Sequence, residues 1–275
     1  MPQTAPPADR ALAESLLAFW ADAGVDSLFL DAPVDRIAAG LAPPPRRAEP
    51  PPPTALRAPP APGARPDVAA AAAEARSLAA AAGDLAALKA AIEAYEGCPI
   101  RFEGAARQAV FSRGAPDAPV MIVGEGPGAE EDARGEPFVG RAGQLLDRML
   151  AAAGLTDRVF ITNTVFWRPP GNRTPTPAEQ AACAPFVERA IELVRPKMLL
   201  LLGGASAKAM LRREEGILSM RGRWFEWRSA DERLELPAMP TLHPAFLLRQ
   251  PAAKKKAWSD ILSLVQRLDR PERPH

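Results

Sequence analysis

Polar or glycine-rich residues stand at the ends of four short apolar runs in this sequence. Short apolar runs bounded by glycine or proline are typical of buried strands. The carboxyl ends of parallel strands meet at one edge of a sheet, where ligands bind. We therefore predict one shared site for the groups that these runs carry. The first run ends at Glu125, the second contains Asn163, the third ends at Gly203-Gly204, and the fourth ends at His243.

A carboxylate, an amide and an imidazole in one place can orient a water molecule and bind a polar ligand. Asn163 is the most informative, since a buried amide needs partners for two donors and one acceptor. His243 is one of only two histidines, and the other, His275, ends the sequence. Each group also has a structural interpretation, because Glu125 could cap a turn, Asn163 could bridge two strands, and a histidine before proline often has no catalytic role.

The glycine-rich loop after the first run does not predict a nucleotide-binding motif. Gly124, Gly126 and Gly128 alternate with other residues and lack the G-x-G-x-x-G spacing of dinucleotide-binding proteins. Pro127 also removes an amide that a phosphate would need. No Walker pattern is present, so an enzyme that uses nicotinamide or ATP is disfavoured.

Composition narrows the class of protein further. The 275 residues carry 34 Lys and Arg against 33 Asp and Glu, so any nucleic-acid surface must be local. Two cysteines without paired spacing argue against a disulfide framework and favour a reducing, cytoplasmic location. The N-terminus does not have the pattern of a signal peptide. No apolar run reaches the roughly 18 residues of a membrane span.

Proline content divides the chain into three parts. Residues 1–41 form an extension in which Ala11 to Ala23 has apolar residues at helical spacing, and residues 42–66 form a Pro-rich disordered linker. The short helix could dock on the main domain or bind a protein partner. Residues 67–275 are predicted to form the folded domain.

Strands and helices alternate along that domain. Two helices are expected before Tyr95, divided at Gly83-Asp84, and a hairpin is expected from Gly216 to Trp227. Strands joined by helical crossovers predict a three-layer α/β/α fold with a central, four-stranded, mostly parallel sheet. The predicted strands are Val120 to Val123, Val159 to Val165, Met198 to Leu202 and Met239 to Leu242, and the helices between and after them are Arg141 to Ala153, Ala178 to Val194, one that ends near Leu211, and Asp260 to Leu268.

Several long motifs together resemble the family-4 uracil-DNA glycosylases. They occur in the order GEGPGAEEDARGEPFVGRAGQLL, ITNTVFWRPPGNRTPTPAE, LLLGGASA, RGRWFEW and TLHPAFLLRQP, and they cover the chain from Cys98 to the last helix. The resemblance implies a uracil-DNA glycosylase-like fold and a monomeric base excision repair enzyme. Such an enzyme flips uracil out of DNA and hydrolyses its N-glycosidic bond with water. No lysine in these motifs could form a Schiff base, so a monofunctional enzyme that leaves an abasic site is expected.

The resemblance also implies a role for individual residues. Phe138 would stack on uracil, Asn163 would bind its amide edge, Glu131 would exclude the thymine methyl group, and the amides around Gly126 would bind the base oxygens. Glu125 would orient the attacking water and favour the sugar cation, and His243 would donate to uracil O2 as negative charge develops there.

The same resemblance implies a DNA-binding surface. Leu247, Leu248 and Arg249 would fill the emptied base stack and hold a phosphate. Arg168 and Arg173, beside the Pro-rich loop, are further candidates for contacts to the DNA backbone.

The sequence departs from this family at the four cysteines that hold its [4Fe–4S] cluster. Cys183 matches the fourth ligand, whereas Trp167 stands at the third position. Cys98 matches one of the first pair, and its partner position is either Tyr95 or Arg101. Two thiolates cannot hold such a cluster, so no metal and no cofactor are predicted, and both cysteines are interpreted as remnants.

Three other functions remain open at this stage. The chain could be a DNA-binding relative with weak or no catalysis, or a glycosylase that prefers other deaminated bases. A nucleotide-binding enzyme of another class is the third, supported only by the glycine-rich loop.

Overall fold

The computed structural model of this chain describes residues 68–270. The chain divides into two units, Met1–Ala61 and Pro62–His275, and the described residues all belong to the second. The expected N-terminal helix and the Pro-rich linker lie outside the described residues. The boundaries at residues 41/42 and 66/67 therefore stay predictions.

A six-stranded sheet forms the centre of the fold, in the order β1-β3-β2-β4-β6-β5. The four inner strands are parallel, which confirms the predicted parallel sheet. Two short edge strands, β1 and β5, are added antiparallel to it. The strands are β1 (Ser112–Gly114), β2 (Val120–Gly124), β3 (Val159–Asn163), β4 (Met198–Leu202), β5 (Phe225–Arg228) and β6 (Glu235–Thr241).

Helices cover both faces of the sheet because alternate strand residues point to opposite sides. Met121 and Leu199 contribute to a core with α1, α2 and α5, whereas Ile122 and Leu200 contribute to a core with α4 and α9. The predicted three-layer α/β/α class is confirmed. The helices are α1 (Val68–Ala81), α2 (Leu85–Ala94), α3 (Ala129–Arg134), α4 (Arg141–Ala152), α5 (Pro177–Val194), α6 (Gly203–Leu211), α7 (Ile217–Met220), α8 (Pro244–Arg249) and α9 (Lys254–Leu268).

The predicted helix start signals are confirmed at α2 and α5. The side chain of Asp84 accepts a hydrogen bond from the Ala87 amide at 2.8 Å. Thr176 and Glu179 form a capping box around Pro177 at the start of α5. These caps satisfy amides that the first turn of a helix leaves without partners.

The hairpin expected from Gly216 to Trp227 is wrong. Residues 217–220 form the short helix α7, and β5 starts only at Phe225 and forms its hairpin with β6. The last strand also starts earlier than predicted, at Glu235, and ends at Thr241. The sequence between Gly216 and Trp227 does not determine the pairing partner of β5, because pairing depends on which edge of the sheet is open.

Candidate active site

The carboxyl end of β2 brings together two side chains that are far apart in the sequence. A Cβ atom placed on Gly124 would overlap Oδ1 of Asn163 and would lie 2.5 Å from Cζ of Phe138. Only glycine fits between them. Asn163 ends the neighbouring strand β3, directly opposite Gly124 in the parallel ladder.

Asn163 is the unusual group in this arrangement. Its side chain is 1% exposed, yet Oδ1 has no hydrogen-bond partner among the described residues. Leaving a buried acceptor unpaired costs about 1–3 kcal/mol. Such a group therefore indicates a ligand that donates a hydrogen bond at this position.

Phe138 is held beside the amide in a backbone conformation that few residues adopt. Its φ of 56° lies in the left-handed region, which is uncommon for residues other than glycine. Arg113 on β1 donates to the carbonyl oxygens of Pro137 at 2.8 Å and of Phe138 at 3.2 Å. A Cβ atom on Gly143 would overlap the Phe138 carbonyl group. Neighbours from two elements thus fix the ring.

Glu131 fixes the same loop from the other side. Its Oε1 accepts hydrogen bonds from the amides of Val139 at 3.0 Å and Gly140 at 2.9 Å. Its Oε2 accepts from the amide of Gly128 at 3.1 Å. The carboxylate therefore joins the start of α3 to the loop that carries Phe138.

His243 approaches Phe138 from the end of β6, with 5.6 Å between the ring centroids. Its Nδ1 accepts a hydrogen bond from the Ala245 amide at 3.2 Å. Burial lowers the pKa of His243 to about 4, with the positive charge of Arg249 acting in the same direction and Glu131 opposing it. The ring is therefore neutral at pH 7, and its proton lies on Nε2, because Nδ1 is the acceptor.

A buried carboxylate on α9 holds the strand end that leads to His243. Asp260 is 2% exposed and accepts a hydrogen bond from Thr241 Oγ1 at 2.6 Å. Arg221 donates to both of its oxygens, from Nε at 3.0 Å and from Nη2. Arg221 and Thr241 begin two of the quoted motifs, but the sequence signals assigned Asp260 no role and did not link the three residues.

Glu125 and Gly126 complete the site on the loop after β2. Neither the carboxylate of Glu125 nor the amide of Gly126 forms a hydrogen bond with another residue of the described range. The carbonyl oxygen of Glu125 accepts from Thr164 Oγ1 at 2.6 Å, which fixes the loop backbone. An acid and an amide donor are thus available to a ligand.

Of the residues expected to contact DNA, Leu247 is buried and Arg173 forms ion pairs within the protein. Leu247 is 0% exposed and packs with Leu145 and Leu242, so it cannot enter a base stack without leaving the core. Arg173 pairs with Glu179 at 2.6 Å and with Glu103 at 2.9 Å. We correct the prediction for Leu247, because a buried side chain does not suit a wedge in the base stack. Arg173 stays partly exposed in its ion pairs, so its contact to the DNA backbone stays a prediction.

The other predicted DNA contacts remain accessible. Leu248 is partly exposed and Arg249 is exposed, one turn after His243. Arg168 is partly exposed, and its Nε donates to Asn172 Oδ1 at 2.7 Å. These three side chains can reach a molecule in solvent.

The residues at the family's cluster positions form an aromatic core instead of a metal site. Tyr95, Cys98, Trp167 and Cys183 are each at most 2% exposed. The rings of Tyr95 and Trp167 lie 6.4 Å apart, and the Tyr95 hydroxyl donates to the Ala71 carbonyl oxygen at 2.8 Å. Of the two candidate positions, Tyr95 is thus the one that packs against Trp167, the residue at the third ligand position.

This donor set does not fit a four-iron cluster. The chain has two cysteines, whereas a [4Fe–4S] cluster needs a ligand at each of its four corners. Burial, together with the neighbouring Cys98, raises the pKa of the Cys183 thiol well above its usual range. Between residues 68 and 270, no three His, Cys, Asp or Glu side chains lie together in a group that could hold a metal ion.

None of the helices α1 to α9 of the described range combines the length and the apolar character that a membrane span needs.

A parallel sheet that carries a free carboxylate, an unpaired buried amide and a neutral imidazole at its carboxyl edge is the arrangement of an enzyme site. A family model described as the uracil DNA glycosylase superfamily matches residues 111–262. The chain belongs to this superfamily.

Three relatives that are similar to this chain are named type-4 uracil-DNA glycosylase. The chain is 42% identical over 160 residues to the type-4 uracil-DNA glycosylase of Pyrobaculum aerophilum, a match that covers 56% of this chain and 81% of the relative. It is 40% identical over 154 residues to the type-4 uracil-DNA glycosylase of Thermotoga maritima, and this match covers 55% of this chain and 77% of the relative. It is 39% identical over 171 residues to the type-4 uracil-DNA glycosylase of Sulfurisphaera tokodaii, and this match covers 60% of this chain and 77% of the relative.

The contact between Gly143 and Phe138 yields a testable prediction. Gly143→Ala would push a methyl group into the Phe138 carbonyl group, and we expect it to lower the free energy of unfolding by about 1–3 kcal/mol. Displacing the ring by about 1 Å should also lower kcat/KM for base excision by roughly 100-fold. Denaturant unfolding and excision kinetics measure the two effects.

Gly83→Ala is the matched control, because a Cβ there meets no atom within 4 Å. A Gly143→Ala protein with the kinetics of this control would show that the position of Phe138 does not depend on Gly143.

Proposed function

We infer that the chain removes uracil from DNA by hydrolysing the N-glycosidic bond with water and leaves an abasic site. The observation that carries this proposal is the unpaired Oδ1 of the buried Asn163. The relatives named type-4 uracil-DNA glycosylase support it. An amide that offers one acceptor and two donors complements the N3–H and O4 edge of uracil.

Base selection follows from the same amide. Cytosine presents an acceptor at N3 and a donor at N4. With Oδ1 of Asn163 facing N3, as proposed for uracil, an acceptor would face an acceptor and a donor would face a donor. A site built to hydrogen-bond a ligand rejects an analogue that leaves buried polar groups unpaired. Phe138 would stack on the ring, and the Gly126 amide would bind an oxygen of the base.

Exclusion of thymine is assigned to Glu131. The three amides that bind its carboxylate hold this side chain in one orientation. A rigid group beside C5 would leave no space for a methyl group, whereas a mobile one would move aside. The same hydrogen bonds make Glu131 a positioning residue for the loop of Phe138.

The chemical step separates charge between the sugar and the base. The bond between C1′ and N1 breaks with its electron pair moving to uracil, and a water oxygen then bonds to C1′. Glu125 would orient this water, accept its proton and stabilise the cationic sugar. The Nε2–H group of His243 would donate to O2 of the departing base, where negative charge develops.

An assay on a uracil-containing oligonucleotide, followed by alkali, tests this function. The wild-type chain should give strand breaks, and His243→Ala should lower kcat by about 100-fold or more, as the loss of one donor to a developing anion does. Asn163→Asp should lose most uracil excision, because an ionised carboxylate accepts hydrogen bonds but donates none.

His275→Ala is the control for the histidine and should leave the rate unchanged. If the wild-type chain gives no strand breaks at any salt concentration, on single-stranded or double-stranded DNA, glycosylase activity is contradicted and a DNA-binding relative is favoured. Oligonucleotides with hypoxanthine or xanthine would show whether another deaminated base is preferred.

The protonation state of His243 gives a second prediction. Because its pKa is lowered to about 4, the ring should stay neutral from pH 8 down to roughly pH 5 and gain a proton only below that. Protonation would end the hydrogen bond that Nδ1 accepts from Ala245. NMR titration of the imidazole signals measures this directly, since the chain has only two histidines.

His275→Ala assigns the two signals. A titration near the ordinary value of about 6.5 would mean that His243 is solvated, and the proposed neutral donor would then be wrong.

We further propose that the enzyme functions without an iron–sulfur cluster, since aromatic side chains replace two ligands. Iron and sulfide analysis of protein purified without oxygen should find well under one iron per chain. About four irons per chain would overturn this proposal, because a [4Fe–4S] cluster needs a ligand at each corner.

A further inference from the structure

A cavity of 660 Å³ lies beside the edge strand β5, away from the residues assigned to uracil. Basic and aromatic side chains are both prominent in its lining. We call this surface the arginine–aromatic groove, and it is defined by Arg213, Arg223, Trp224, Phe225, Arg228 and Arg267.

Three arginines of this groove lie over its aromatic rings at cation–π distance. The guanidinium carbon of Arg267 lies 4.2 Å from the centroid of a Trp224 ring. Those of Arg213 and Arg223 lie 5.2 Å and 5.1 Å from the centroid of Phe225. A guanidinium in such a position still has N–H groups for a phosphate, and guanidinium planes can stack on a nucleobase.

The charges of the groove also favour an anionic ligand. Its lining contains the four arginines against two glutamates, Glu226 and Glu235. Arg267 has no carboxylate partner within residues 68–270, while Arg213 and Arg223 share Glu215 at 3.1 Å and 3.4 Å. Exposed ion pairs of this kind contribute about 0–1 kcal/mol, so a phosphate can replace the carboxylate at little cost.

The groove is joined to the active site through the backbone. Its strand β5 pairs with β6, and β6 is followed by His243. The turn before Trp224 is fixed to β6 by the hydrogen bond from the Gly222 amide to the Pro240 carbonyl oxygen at 2.9 Å. The Arg221 side chain of the same turn is held by Asp260.

We propose that the arginine–aromatic groove binds a single-stranded segment of the DNA substrate. The proposal rests on the proposed function only in taking DNA as the ligand. Guanidinium groups over half-buried rings suit unpaired bases, whose faces are free, and the N–H groups suit the phosphates. Paired bases in a duplex keep their faces covered, so a duplex would use only the charges.

Binding of a fluorescent, uracil-free oligothymidine to the full chain tests this site without any need for excision. Arg223→Gln with Arg267→Gln removes two cations from the groove. We expect a loss of affinity of about tenfold at low salt. The slope of log K against log salt should also fall by about 1.4, as two fewer phosphate contacts on a single strand predict.

Arg233→Gln is the matched control, since Arg233 is exposed, pairs with Asp231 at 3.4 Å and is not part of the groove. It should bind the oligothymidine with the affinity of the wild type. Thermal unfolding of all variants confirms that they are folded.

Three results would overturn the proposal. They are wild-type affinity in the double variant, an equal loss in the Arg233→Gln control, and an equal loss for a duplex of the same length. Failure of uracil excision in the wild type would leave this binding test unaffected, so the two proposals can fail separately.

Discussion

The close approach of Asn163 and Phe138 to Gly124 is the constraint on which the site depends. A parallel ladder places Gly124 opposite Asn163, and the missing side chain at Gly124 opens the space in which the amide and the ring meet. The next residue, Glu125, begins the loop after β2, and Thr164 holds its carbonyl oxygen. Any larger residue at position 124 would separate the two groups that are proposed to recognise the base.

The surrounding structure keeps this arrangement despite its cost. A buried acceptor without a partner and a phenylalanine in the left-handed region each cost about 1–3 kcal/mol. Arg113 and Glu131 hold the backbone around Phe138, and Asp260 holds the strand end before His243. Unfavourable local features at a functional site are expected where the rest of the fold can compensate for them.

Aromatic packing connects the segments that carry the family's cluster positions. An iron–sulfur cluster would cross-link the start of the domain to the loop before α5 and to α5 itself. Here Tyr95 contacts Trp167 and Phe186 with ring centroids 6.4 Å and 5.1 Å apart, and its hydroxyl binds α1. Buried aromatic pairs contribute about 0.5–1.5 kcal/mol beyond their buried area. Close packing thus joins the segments that ligand bonds would otherwise join.

Much of this protein follows from its sequence because the signals are local. Apolar runs and glycines identified the four parallel strands, and caps such as Asp84 identified helix starts, since each depends on neighbours within a few residues. Polar residues at the ends of those runs identified the candidates Glu125, Asn163 and His243, and the motif order led to the superfamily. Tertiary structure alone placed Leu247 in the core, paired Arg173 with Glu179, and packed Tyr95 against Trp167. It also revealed Arg113 and Asp260, because burial and long-range hydrogen bonds depend on how distant segments pack, which local patterns do not encode.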